Sequence, residues 1–216
     1  MKRALKEEIV GQARLQFSES GYDSVSLRSI AEALHISVGN LTYHYGRKEE
    51  IAAAVLLAAH AQYRLPQAPD TLQALCLGLL DLAEQMQQNA LFSKGAERLL
   101  CACPEARPLQ QELMARTGHF IGEALLHLQD AGLICRESYP GQFVHLSHAL
   151  LLLCLHFEVQ GVLSPCERRR AFLRCVWSVL YPNLTAEGRR RPRAQLTGCT
   201  PQSRLTQTTL FYSEGH

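Results

Sequence analysis

Leu5, Ile9, Ala13 and Phe17 recur at every fourth position, which sets them on one face of an amphipathic helix that Gly21 can stop. Ser26 precedes Leu27–Leu34, whose apolar stripe is Ile30, Ala31 and Leu34, and its hydroxyl suits a helix N-cap. His35-Ile36 breaks that pattern, and Ser37 is a second cap opening a short helix over Val38–Tyr45. Gly46-Arg47-Lys48 reads as a turn. Glu49-Glu50 then places acidic charge on the first turn of a helix running to about Arg64, where the helix dipole favours it.

Pro66 and Pro69 mark a joint. Asp70-Thr-Leu-Gln73 resembles a capping box and predicts a helix to about Asn89. Leu91–Cys103 predicts another, closed by Pro104 and Pro108, and a long helix follows to Asp130 with Gly132 as its stop. Gln142–Leu163 and Pro165–Leu180 are the last strong helices, the second opened by Ser164-Pro165-Cys166-Glu167. No alternating strand pattern and no internal repeat occurs, so the fold class is all-α. From residue 185 to 216 the chain turns to Arg, Thr, Gln and Ser and reads as a flexible basic tail.

Composition agrees with a folded chain: 216 residues, 47% hydrophobic and 19% charged, with a formal net charge of +2. The distribution of charge is more telling. Residues 1–48 hold seven Lys/Arg against five Asp/Glu, residues 49–181 hold ten against thirteen, and residues 182–216 hold five against two. A mildly basic start on an acidic middle suits a small nucleic-acid-binding head on a larger body. Met1–Val10 carries charges where a secretory leader needs an apolar stretch, and the apolar core Ala149–Leu155 is far too short to span a bilayer. A cytoplasmic protein without membrane contact is expected. Its eight cysteines then read as reduced and mostly structural.

The informative segment is Ser26–Lys48, two short helices about a tight turn, which is the layout of a helix-turn-helix. Its second helix is narrow at Val38-Gly39-Asn40, as entry into a major groove requires, and Leu41 and Tyr45 can anchor it inward. Thr42, Tyr43 and His44 offer hydroxyl, phenol and imidazole groups to phosphates or base edges, and Lys48 offers a cation and a free amide to one phosphate. The run from Phe17 through Gly21-Tyr22, Ser26-Leu-Arg-Ser-Ile-Ala-Glu and Ile36-Ser-Val-Gly-Asn-Leu-Thr-Tyr-His-Tyr-Gly-Arg-Lys-Glu-Glu-Ile51 resembles the DNA-binding domain of the TetR/AcrR transcriptional regulators. Thr42, Tyr45 and Gly46-Arg47 depart from residues frequent in that family. The resemblance implies a three-helix helix-turn-helix head over residues 1–48 and a helical ligand-binding and dimerisation domain over 49–184. It also implies that Ser26, Arg28, Ser37, Val38, Gly39, Asn40, Thr42, Tyr43, His44 and Lys48 lie near a double-stranded DNA operator.

The body carries weaker signals. Gln142–Leu163 is apolar on nearly every side and must be covered on nearly every side, so it and Pro165–Leu180 are expected to form a homodimer interface through Leu152, Leu155, Val159, Phe172, Val176 and Trp177. By the family's architecture, Met86, Phe92, Met114, His119 and Phe120 are candidates to line a pocket for a small-molecule effector that releases the protein from DNA. No hydrolase, P-loop, metalloprotease or dinucleotide motif occurs, so neither an enzyme nor a cofactor is expected. Two alternatives stay open. One is a redox- or metal-responsive regulator using Cys101, Cys103 and histidines 119, 127, 145, 148 and 156; the other is a helical dimeric module that does not read DNA.

Overall fold

Three helices, α1 (Lys2–Ser20), α2 (Leu27–Ala33) and α3 (Val38–His44), form a head against the first half of α4 (Lys48–Gln62). The computed structural model describes residues 2–92, 95–157 and 164–190, and all its described regular elements are helical apart from one isolated antiparallel bridge between Ile134 and Leu184. Of the predicted stripe of α1, Ile9, Ala13 and Phe17 are buried and Leu5 is half-buried; they share a core with Ile30 and Ala31 of α2, Leu41 of α3, and Ile51, Ala52 and Val55 of α4. Phe17 meets Tyr22 edge-on at 5.3 Å between ring centres. Gln16 and Ser29 bind each other twice, Gln16 Nε2 donating to the Ser29 carbonyl and Ser29 Oγ to Gln16 Oε1, which ties α1 to α2.

The turn between α2 and α3 satisfies the last carbonyls of α2. Ile36 N donates to the Ala31 carbonyl and His35 N to that of Glu32, with His35 in the left-handed region at φ 54°. The same pair of bonds ends α7 (Arg107–Asp130), where Gly132 at φ 74° holds the left-handed position and Leu133 N reaches the Leu128 carbonyl. Glycine holds that position without strain; histidine does so at a cost.

The body comprises α5 (Leu72–Gln88), α6 (Ala96–Ala102), a 3-10 turn (Pro104–Ala106), α7, α8 (Gln142–His156), α9 (Pro165–Leu180), a second 3-10 turn (Tyr181–Asn183) and α10 (Ala186–Arg190). α8 packs on α5 and α7, and α9 closes over α5 and α8. No described helix is long and apolar enough to cross a membrane.

Three expectations need correction. The cap of α5 is Thr71, whose hydroxyl accepts from Ala74 N, rather than Asp70. The helix expected from Leu91 starts only at Ala96, because Asn89 Oδ1 takes the Leu91 amide and the Asn89 carbonyl takes that of Phe92, closing a turn instead. The tail expected from residue 185 begins with folded chain. Thr185 Oγ1 donates to the Gly132 carbonyl, Thr185 N donates to that of Leu133, Cys135 N donates to that of Asn183, and Gly188 is buried in α10. The rest of that tail lies outside the described residues.

Candidate nucleic-acid interface

α3 is fixed from behind and exposed in front. Leu41 is fully buried and Tyr45 half-buried, with the Lys6 ammonium 5.4 Å from the centre of the Tyr45 ring. Val38, Gly39, Asn40 and Tyr43 are exposed, Tyr43 by 69%. Ser37 Oγ accepts from Asn40 N, so this serine caps α3. Thr42 Oγ1 donates back to the Gly39 carbonyl, and the Tyr43 and His44 rings stand edge to face at 5.3 Å. Ser26 caps α2 in a reciprocal box with Ser29, and exposed Arg28 is engaged by Glu32 at 2.8 Å.

Lys48 has partners within the head. Its ammonium donates to the carbonyls of Tyr22 and Val25, both at 2.9 Å, and lies 4.1 Å from the centre of the Tyr22 ring. This side chain staples the α1–α2 turn to α4. The cation and free amide of Lys48 were expected at a phosphate; here two carbonyls and a ring engage the cation within the head. The Tyr22 hydroxyl donates in turn to Glu49 Oε1 at 3.3 Å, and burial together with that carboxylate pushes the phenol up to about 12. The staple continues into the body, because the Cys103 thiol, buried beside the first 3-10 turn, donates to the Glu49 carbonyl at 3.3 Å. Arg98 of α6 pairs with Asp23 at 3.5 Å. The contacts among Tyr22, Glu49 and Cys103 were not anticipated from the sequence, since each bond joins residues at least 27 positions apart.

The proposed pocket residues do not all converge. Met86 is buried, and Phe92, Met114 and Phe120 are half-buried, but His119 is exposed. Two residues past Thr117, it stands about 200° round α7 from the buried face. The body's buried polar pair is another one. Tyr63 and Thr117 stand 2.8 Å apart, and Thr117 Oγ1 donates to the Leu113 carbonyl at 2.7 Å, which leaves Tyr63 as donor to Thr117. Phe92 lies beside the Tyr63 ring at 6.1 Å, and burial pushes the Tyr63 phenol up to about 12.

The interface candidates also divide. Leu152 is exposed by 56%, and Leu155 and Trp177 are half-buried. Phe172 and Val176, at most 1% exposed, are corrected to core positions: they face inward on α9, Phe172 against Phe157, and offer no surface to another chain. Val159 lies outside the described residues. Cys101 is exposed and Cys103 buried, so the two do not form one surface site, and among the described residues no group of three His, Cys, Asp or Glu is placed to hold a metal ion.

A helix-turn-helix head on a helical body is the class defined by these features. Residues 9–55 match the family model of the bacterial regulatory proteins of the tetR family. The biofilm operon icaADBC HTH-type negative transcriptional regulator IcaR of Staphylococcus epidermidis is 43% identical over 47 residues, which are 22% of this chain and 25% of that protein. The chain thus spans about a quarter of the length of that curated relative. Among solved structures, a TetR-family transcriptional regulator from Marinobacter aquaeolei aligns with a TM-score of 0.70 at 21% identity, over 86% of this chain and 94% of that one. A gamma-butyrolactone receptor described as ArpA-like aligns at 0.64 and 20% identity, over 91% and 96%. Residues 9–55 are a TetR-family helix-turn-helix domain, and the described chain has the fold of TetR-family regulators.

Proposed function

We propose that this protein is a sequence-specific DNA-binding repressor that acts as a homodimer and is released by a small ligand held in the body. The observation that carries the reading is α3: a capped helix, pinned by Leu41, whose residues Val38, Gly39, Asn40 and Tyr43 are exposed and whose start at Val38-Gly39-Asn40 is narrow enough for a major groove. A relative described as a negative transcriptional regulator, 43% identical over 47 residues, supports repression. The receptor likeness supports a ligand in the body, where the Tyr63–Thr117 pair and Phe92 supply one polar and one aromatic contact. Dimerisation rests on the outer side of α8, where Leu152 is bare. Two such heads would read half-sites about one helical turn apart.

Fluorescence anisotropy with duplex DNA from upstream of the protein's own gene tests this. Tyr43→Ala and Asn40→Ala are expected to weaken binding by roughly 5- to 150-fold, the worth of about 1–3 kcal/mol of groove contact, with an unchanged melting curve. Equal affinity in both variants and wild type would refute α3 as the reading helix.

A further inference from the structure

α2 carries one exposed ion pair of its own: Arg28 Nε stands 2.8 Å from Glu32 Oε1, with both side chains in solvent. The pair is set in the order that serves the helix least. Arg28 lies in the first turn, at the positive end of the helix dipole, and Glu32 in the last, at its negative end. A glutamate that precedes its cation by one turn stabilises a helix better than the reverse, which is the order here. Other groups secure α2: Ser26 and Ser29 cap its start, and the Ile36 and His35 amides donate to the Ala31 and Glu32 carbonyls at its end.

Glu50 on α4 shows what a carboxylate does when it serves its helix. It lies in the first turn, its Oε2 accepts from the Gly46 amide at 2.9 Å, and Arg47 stands 3.6 Å from its other oxygen. Glu32 has no second task of this kind: among the described residues, the partner of its carboxylate is Arg28. In a helix-turn-helix the first helix crosses the DNA backbone while the second enters the groove. α2 is that first helix, and Arg28 is its one basic residue. A cation there can bind a phosphate of any duplex, since phosphate contacts carry no sequence information.

We infer that Glu32 is a built-in competitor of DNA phosphate for Arg28, which lowers the affinity of the head for every duplex. The inference rests on the DNA-binding reading above and adds a restraint to it. An exposed ion pair is weak, so a phosphate displaces the carboxylate, yet each binding event must first give up the pair. The carboxylate also repels any phosphate that approaches Arg28. Two other cations of the head are engaged within the chain, Lys48 by the Tyr22 and Val25 carbonyls and Lys6 over the Tyr45 ring at 5.4 Å. Of the seven Lys/Arg that residues 1–48 hold against five Asp/Glu, fewer are therefore free for phosphate than composition counts.

Fluorescence anisotropy of the full chain with a random-sequence duplex and with DNA from upstream of its own gene, at about 0.05–0.2 M salt, tests the inference. Glu32→Gln is expected to tighten binding to both by about 2- to 5-fold, the worth of an exposed ion pair. The gain should shrink at the higher salt, which screens the pair. In a chain that also carries Arg28→Ala, the gain is expected to vanish. The melting temperature of Glu32→Gln should be no lower than that of the wild type, because an acidic charge leaves the negative end of α2. Failure of the wild type to bind either duplex would overturn the DNA-binding reading and the inference with it. Unchanged or weaker binding by Glu32→Gln, an equal gain in the Arg28→Ala chain, or a lower melting temperature would overturn the inference alone.

Discussion

The ammonium of Lys48 lies 4.1 Å from the centre of the Tyr22 ring and donates to the Tyr22 carbonyl, so one side chain at the start of α4 grips the turn that orients α2. Lys48→Ala removes two charge-assisted hydrogen bonds and a cation–π contact, and a loss of about 1–3 kcal/mol in unfolding free energy is expected. DNA affinity should fall because α3 is less firmly placed. A lost phosphate contact would reduce the salt slope of binding by about one; a lost staple leaves the slope unchanged while the denaturant midpoint drops. Measuring both quantities on one variant separates the roles.

His35 offers a gain. It occupies a left-handed position at φ 54° in the turn that ends α2, where the equivalent residue after α7 is Gly132. His35→Gly should relieve that strain and raise stability by about 0.5–1 kcal/mol. For a chain of this size that corresponds to roughly 1–4 °C in melting temperature. A fall in melting temperature would mean that the His35 side chain itself supports the turn.

The Tyr63–Thr117 pair predicts an asymmetry. Tyr63→Phe removes a donor but leaves Thr117 bonded to the Leu113 carbonyl, so a cost near 1 kcal/mol is expected. Thr117→Val leaves the Tyr63 hydroxyl buried without a partner and should cost more, about 1–3 kcal/mol. The double variant should be closer to the first than to the sum. Urea denaturation of all three chains checks the order.

Gly188 is held against the Leu133 carbonyl oxygen so closely that a methyl group there would collide with backbone. Gly188→Ala should therefore undock α10 and release the bonds that Thr185 makes to Gly132 and Leu133. Hydrogen exchange is expected to quicken at the Thr185 amide, with little change in the head.

Thiol chemistry should sort the described cysteines by burial. Burial pushes Cys76 and Cys154 up to about 12, which lowers the thiolate fraction at pH 8 and leaves them slow toward maleimide. Cys103 is also raised, by burial first and then by Glu105 and Glu49, and is expected to be slow. Cys101, Cys135, Cys166 and Cys175 are exposed and should be modified first in the native protein, as peptide mass spectrometry can read.

Local signals were legible in the sequence. Ser26, Ser37 and Ser164 cap the helices they were expected to open, because a cap is decided within four residues. The stripe Ile30–Ala31 and the anchor Leu41 are buried for the same reason of spacing. What could not be read was direction and distance. The apolar run of α8 and α9 announced burial without saying which side faced inward, so Phe172 and Leu152 looked alike although one is core and the other bare. Lys48 looked free because its partners, Tyr22 and Val25, lie 26 and 23 residues away.

α4 belongs to both halves of the molecule at once. Ile51 sits in the head's core, Tyr63 just past its end bonds to Thr117 of the body, and the family match stops inside it at residue 55. No hinge peptide separates the units, so they are not interchangeable parts. A head excised after residue 55 would keep Ile51, Ala52 and Val55 but lose the second half of the helix that carries them. A chimera that gives this body a different head must place its seam within α4 and keep the inward side chains Val55, Leu56 and Ala59 in register. Recombination between relatives therefore has one narrow window here, a few turns of one helix, in which an exchange of heads leaves a foldable protein.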